Sequence, residues 1–225
     1  MTKQLIFDCD GVLVDSEIIA AQVMVEMLNE YQVPISITHY LQHCTGKTFS
    51  GLASSLSMEF DKSLPADFVQ LVTAKMEAAS SKLLQPIDGM QNMLNTIAPI
   101  PKAVVSNSDL HQIKSSLDKV NISHHFGAHT FSSEQVDKPK PSPQVYLHAA
   151  SSLAVKPSEC LVVEDSVSGA TAALAAGMQV IGFLAGSHIV DGHADRLRAV
   201  GVKEMAHSSA VLKEMIEGVF LTTLR

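Results

Sequence analysis

Apolar positions along the chain fall into short unbroken runs and longer periodic ones. "QLIF" (4–7), "KAVVS" (102–106), "CLVVED" (160–165) and "QVIGFL" (179–184) are short runs bounded by turn-forming or polar residues, and "AHTFSS" (128–133) is a weaker fifth. Runs of this length predict buried strands. Helical spacing begins at Ile19, where Ile19, Val23 and Met27 form one row and Ala20, Met24 and Leu28 the next. Asp15 or Ser16 is expected to cap that helix, and Pro34 requires it to have stopped. Further helices are expected over 88–98, over 109–120, over 142–153, through the alanine-rich stretch ending at Gly177, and from Ser208 or Ser209 to about Glu217.

The order of these pieces changes once along the chain. Between about 15 and 85 there are helical patterns and polar breaks and no convincing strand. After "QPIDGM" (85–90), strand and helix alternate. Alternation with strands apolar throughout predicts a parallel sheet covered on both faces. The expected architecture is therefore α/β: a Rossmann-like doubly wound core from 1–14 and 86–225, with a small all-helical cap, 15–85, inserted after the first strand.

Ligands of such sheets bind at the carboxyl ends of the strands. That rule gathers Asp8 and Asp10 from the first strand, Ser106 and Asn107 from the second, and Glu164 and Asp165 from "CLVVED". Asp8 and Asp10 are two apart in extended chain and face one side, with Cys9 facing the other. Alone, "DCDG" reads as a turn. Beside Glu164 and Asp165 it makes four carboxylates that repel unless a hard divalent cation such as Mg2+ joins them. Ser106, Asn107 and the N–H groups after the strand can hold a phosphate, although Ser-Asn by itself reads as a helix cap. Lys138 and Lys140 alternate with prolines that stiffen the backbone and can aim one ammonium, although either alone reads as a solvated loop residue.

Composition narrows the partners. At 225 residues, 46% apolar and 17% charged, the chain is ordinary globular material. A formal charge of −7 argues against general binding to nucleic acid or anionic membrane. Cys9, Cys44 and Cys160 fit neither a zinc site nor a disulfide framework and read as reduced, which suits the cytoplasm. No signal peptide or 18-residue apolar stretch is expected from the sequence. A monomer is the default. The ten histidines are scattered, and His124, His125, His188 and His193 read as surface or loop residues; the methionines read as core.

Taken together, the ordered segments resemble the haloacid dehalogenase-like superfamily of aspartyl-phosphate hydrolases. "FDCDGVLVDSE" looks like its first motif, "VVSNS" its second, "KPSPQVY" its third and "VVEDSVSGATAALAAGM" its fourth. The insert is similar to the helical cap of the subgroup that includes β-phosphoglucomutase and many sugar-phosphate phosphatases. The resemblance implies Asp8 as nucleophile and Asp10 as general acid and base. It implies Ser106 and Lys140 on the phosphoryl oxygens, with Gly11 and Asn107 beside them. It places Mg2+ on Asp8, the main-chain carbonyl of Asp10 and Asp165, with Glu164 in or near its shell. Lys140 is chosen over Lys138 because Lys140-Pro-Ser-Pro is followed at the family spacing by Tyr146.

The expected activity is Mg2+-dependent hydrolysis of a small phosphorylated metabolite, a sugar or sugar-acid phosphate. A phosphoglucomutase is the closer alternative. The mutase histidine position is Ala20 here, and Phe49 stands where its cap carries an arginine. Gly46 and Lys47 are the residues expected to close on substrate. A non-enzymatic phospho-receiver domain is the remote alternative, since receivers carry their aspartate on a middle strand and have no large insert after the first.

Overall fold

The protein is described by a computed structural model covering residues 2–44 and 49–221. The strands are β1 (Gln4–Phe7), β2 (Lys102–Ser106), β3 (Thr130–Ser132), β4 (Cys160–Glu164), β5 (Gln179–Phe183) and β6 (Glu204–Ala206). They form one six-stranded sheet in the order β3-β2-β1-β4-β5-β6, parallel at every pairing. Between β1 and β2 come α1 (Ser16–Glu30), α2 (Ile37–His43), α3 (Phe49–Phe60), α4 (Phe68–Leu83) and α5 (Met90–Thr96). The remaining helices are α6 (Leu110–Lys119), α7 (Gln144–Ser152), α8 (Val167–Ala175), α9 (His193–Ala199) and α10 (Ser209–Leu221).

The doubly wound sheet expected from the apolar runs is the one observed. Strand side chains alternate between two separate cores. Leu5, Phe7, Val104, Val163 and Ile181 join residues of α5, α6 and α10 on one face. Ile6, Ala103, Val105, Val162 and Val180 join residues of α7, α8 and α9 on the other. With both faces dry, both of these sets are apolar, so the strand centres lack an amphipathic alternation. Ala170, Ala172 and Ala173 are fully buried in α8 and let that helix lie close to the sheet.

Some elements exceed the expectation. α9 and β6 fill a stretch where no helix or strand is predicted. β6 has only three residues, one of them buried, so it carries no readable period. α10 continues past Glu217 to Leu221. Ser16 begins α1, but Asp15 makes no side-chain capping bond. Both side chains are used elsewhere, as described below.

The chain leaves the sheet after Val14 and returns at residues 85–87, and the two crossings are tied together. Asp15 N–H donates to Gln85 O at 3.0 Å and Ile87 N–H to Leu13 O at 3.1 Å. Four of the helices, α1 to α4, lie between these crossings. α1 packs on α4 with the Tyr31 and Phe68 rings edge to face, 5.6 Å apart. The three cysteines are buried and not disulfide-bonded. Among the described residues no helix is long and apolar enough to cross a membrane.

Candidate active site

Strand register builds the centre of the site. Phe7 of β1 lies opposite Val163 of β4 and Val104 of β2. One residue further on, Asp8 leaves β1 level with Glu164, with Asp165 next, all at the carboxyl edge of the sheet. All three acids are buried, Glu164 completely. One oxygen from each lies within 4.8 Å of the others.

Lys140 answers part of that charge. Its Nζ donates to Asp8 Oδ1 at 2.6 Å, Glu164 Oε1 at 2.7 Å and Val105 O at 2.9 Å. It also lies 4.8 Å from the centre of the Tyr146 ring. All three ammonium protons are therefore engaged. Burial alone would lower its pKa, but Asp8 and Glu164 outweigh burial and raise it well above the usual lysine value. Lys138, the alternative in the same loop, is exposed. Glu164 is saturated: Oε1 also accepts from Tyr146 Oη at 2.8 Å, and Oε2 accepts from Ser166 Oγ at 3.0 Å and Ser166 N–H at 3.3 Å.

Asp10 turns away from this cluster into a ring of hydroxyls. Ser16 Oγ donates to Oδ1 at 2.7 Å, and Ser108 Oγ (2.8 Å) and Ser106 Oγ (3.2 Å) donate to Oδ2. Asn107 is expected on phosphate, but its side chain is committed to the lysine loop. Its Oδ1 accepts from Lys140 N–H at 2.9 Å and its Nδ2 donates to Lys140 O at 3.2 Å. The amide thus fixes where Lys140 starts. Gly46 and Lys47, expected to close on substrate, lie outside the described residues.

The histidine reading also needs correction. His188 and His193 are buried and both meet Asp165. His188 Nε2 is 2.8 Å from Asp165 Oδ2, and His193 Nε2 is 2.5 Å from the Asp165 main-chain oxygen. Arg196 donates to His193 Nδ1 at 2.9 Å, which leaves the His193 proton on Nε2 to be donated to Asp165 O. Burial lowers the pKa of both histidines. Gly11 has φ +76°, and a Cβ there would overlap Asp165 Oδ2, so this residue serves the approach of Asp165 to the β1 turn.

The donor set fits a divalent cation. Asp8, Glu164 and Asp165 set three carboxylates against the single ammonium of Lys140, leaving two negative charges if all ionise. Burial pushes Asp8 well above the usual carboxylate range, with Glu164 and Asp165 adding to it and Lys140 opposing it. Burial likewise pushes Asp165 up, with Glu164 adding. Oδ1 of Asp165 is buried with no hydrogen-bond partner among the described residues. An orphaned anionic oxygen in an under-compensated acid cluster is what a Mg2+-sized cation relieves. Glu17, at the start of α1, is raised from 4.5 to about 7 by burial, with the charges of Asp10 and Asp165 adding to it. Cys9 lies behind Asp8, and burial pushes its thiol pKa well up, leaving it a poor nucleophile.

Several residues of this arrangement have no place in the site that the sequence predicts, Ser108, Ser16 and His188 among them. Ser108 repeats the hydroxyl of Ser106 two positions on, a spacing that could have pointed to Asp10. Ser16 reads from sequence as a helix cap. His188 carries no motif signal, being 23 positions from Asp165 (188 minus 165) on a different loop.

A profile of the haloacid dehalogenase-like hydrolases matches residues 5–183. The 6-phosphogluconate phosphatase of Escherichia coli is 31% identical over 187 residues, 83% of this chain and 84% of that protein. A conserved haloacid dehalogenase-like protein of unknown function from Agrobacterium tumefaciens superposes with a TM-score of 0.92 at 35% identity, covering 97% of this chain and 99% of that one. A haloacid dehalogenase-family hydrolase from Deinococcus radiodurans, solved with phosphate and sodium bound, superposes with a TM-score of 0.85 at 31% identity, covering 98% and 97%.

Proposed function

The chain belongs to the haloacid dehalogenase-like hydrolase family, and from that premise we propose that it is a Mg2+-dependent phosphatase of a small phosphorylated sugar or sugar acid, working through an aspartyl phosphate on Asp8. The observation that carries the proposal is the buried carboxylate cluster of Asp8, Glu164 and Asp165 around one lysine, with a fourth carboxylate, Asp10, held apart on three hydroxyls. A nucleophile and a proton carrier need this separation. One must stay ionised at a cation; the other must exchange a proton with solvent-side groups.

In the first half-reaction an Asp8 oxygen attacks phosphorus. The bond from phosphorus to the substrate oxygen breaks, and protonated Asp10 gives its proton to that oxygen as the alcohol leaves. In the second, Asp10 takes a proton from water, the water oxygen attacks phosphorus, and the bond from phosphorus to Asp8 breaks. Inorganic phosphate leaves, Asp8 is restored and Asp10 is protonated again.

Lys140 holds Asp8 in place and is positioned to meet the phosphoryl oxygens once Asp8 carries them. Ser106 and the N–H groups after β2 take the remaining oxygens. Glu164, with both oxygens already accepting, acts by aiming Lys140. Asp8, Asp165 and the main-chain carbonyl of Asp10 would hold Mg2+, which when bound supplies positive charge that screens the nucleophile from the anionic phosphate and stabilises the transition state. The block from 15 to 85 acts as a cap over this edge and keeps bulk water from unproductive attack.

Hydrolysis is favoured over mutase chemistry by Ala20, a buried residue of α1 with no proton to exchange. The sugar-acid substrate class is supported by the similarity to 6-phosphogluconate phosphatase. The large insert directly after β1 argues against a receiver domain. The test is release of inorganic phosphate across a panel of phosphorylated sugars and sugar acids, 6-phosphogluconate included, with and without Mg2+ and with Asp8→Asn as control. Turnover of at least one member that disappears in the variant is expected. No turnover on any member, or undiminished turnover in Asp8→Asn, would sink the proposal.

A further inference from the structure

His188 has one partnered ring nitrogen and one orphan. Nε2 lies 2.8 Å from Asp165 Oδ2, while Nδ1 is buried with no hydrogen-bond partner among the described residues. A proton on Nδ1 would be buried without an acceptor, so the ring carries its single proton on Nε2. Nε2–H donates to Oδ2, and that bond decides which Asp165 oxygen remains open. The open one is Oδ1, the orphaned oxygen of the acid cluster.

The surroundings are shaped for this contact. A Cβ on Gly186 would stand 2.6 Å from His188 Cε1, and one on Gly11 would stand 2.8 Å from the same atom, so two glycines make room for the ring. The preceding residue, Ser187, is clasped by Asp15 through its N–H at 3.0 Å and through its hydroxyl. This is where the unused Asp15 carboxylate goes. The same clasp ties the histidine loop to the crossing into α1. From the other side, His193 holds the main-chain oxygen of Asp165.

We propose that His188 is a positioning residue for Asp165: its Nε2–H holds Oδ2 so that Oδ1 faces the cation site, and the Asp15–Ser187 clasp keeps the ring there. The proposal rests on the reading of Asp165 as a Mg2+ ligand given above. Groups that orient a metal ligand in this way change metal affinity about 10–100-fold when removed. The substitution His188→Gln should preserve the effect, because a glutamine amide nitrogen reaches about as far as Nε2, whereas an asparagine amide falls short.

The test is calorimetric titration of Mg2+ into the metal-free full chain without substrate, comparing wild type with His188→Ala, His188→Asn, His188→Gln and Asp15→Ala. Kinetics of phosphate release at saturating Mg2+ are measured alongside. Mg2+ dissociation constants about 10–100-fold weaker are expected for His188→Ala and His188→Asn, with a smaller loss in Asp15→Ala and recovery to near wild type in His188→Gln. KM for the phosphoester at saturating Mg2+ should stay unchanged. Should His188→Ala fail to fold, the His188→Asn and His188→Gln variants carry the same comparison. Wild-type affinity in folded His188→Ala or His188→Asn, or a His188→Gln variant no better than His188→Asn, overturns the inference alone. A wild-type protein that takes up no Mg2+ overturns both the inference and the metal reading beneath it.

Discussion

Replacing Lys140 by methionine tests the electrostatic logic of the site most directly. Methionine keeps an unbranched stem against the Tyr146 ring but removes three hydrogen bonds, to Asp8, Glu164 and the Val105 carbonyl. It also leaves the buried acid cluster without its ammonium. Removing one partner of a buried ion pair costs about 3–5 kcal/mol, because the surviving charge stays buried and uncompensated. The lost charged hydrogen bonds, each about 1.5–3 kcal/mol, describe the same loss and are not added to it. In a chain of this size 1 kcal/mol moves Tm by about 2–4 °C, so Tm should fall on the order of 6–20 °C.

The titration of Lys140 itself does not bear on an assay at neutral pH. A lysine whose folded pKa is raised contributes its full stabilisation below the unfolded value and loses it only as pH rises through the folded one. Neutral pH is far below both. Differential scanning calorimetry in a chelator, repeated at saturating Mg2+, is the assay. Mg2+ compensates the same carboxylates, so the gap between variant and wild type should narrow when the ion is added. A metal-free variant that melts with wild type, or a gap that widens with Mg2+, would refute this account of the cluster.

Two further outcomes follow from neighbouring groups. Glu17 is raised to about 7, and a carboxyl raised on folding stabilises below its unfolded pKa and loses that contribution as pH rises through its folded one. Between about pH 4.5 and 7.5, wild type should therefore lose about 1–2 kcal/mol relative to Glu17→Gln, the value allowing for the partial exposure of the side chain; parallel urea-unfolding curves across that range would contradict it. Gly169→Ala places a methyl group into the Glu164 carboxylate, and should cost about 1–3 kcal/mol in denaturant unfolding while displacing the acid that aims Lys140. Unchanged stability and unchanged kcat in that variant would show that Glu164 has freedom the packing denies it.

Much of the site was legible because the residues proposed to act in it are anchored at strand ends. Asp8, Ser106 and Glu164 each follow or end a run of apolar residues, and parallel-sheet topology places such ends together. Lys140 could be separated from Lys138 by spacing to Tyr146, whose hydroxyl in the structure meets Glu164 beside the lysine. Asn107 illustrates the limit. Its place after β2 marks it as near the site, but whether its amide meets a ligand or the Lys140 backbone depends on a loop 33 residues away. The histidines show the same limit more sharply, since nothing near His188 or His193 in sequence refers to Asp165.

The sequence by itself determined the fold class, the insertion after the first strand and the residues gathered at the sheet edge. Those follow from periodicity and chain order, and both are local: a short apolar run bounded by turn residues favours a buried strand, and side chains two apart in it face the same way. Only the tertiary structure decided which donor each polar atom meets. It placed Asp10 on three hydroxyls, Asn107 on the lysine loop, Glu164 behind Lys140, Asp15 on Ser187 and His188 on Asp165. Most buried polar atoms are satisfied by whatever packing brings within about 3 Å, and no pattern along one strand or helix records what another loop carries there.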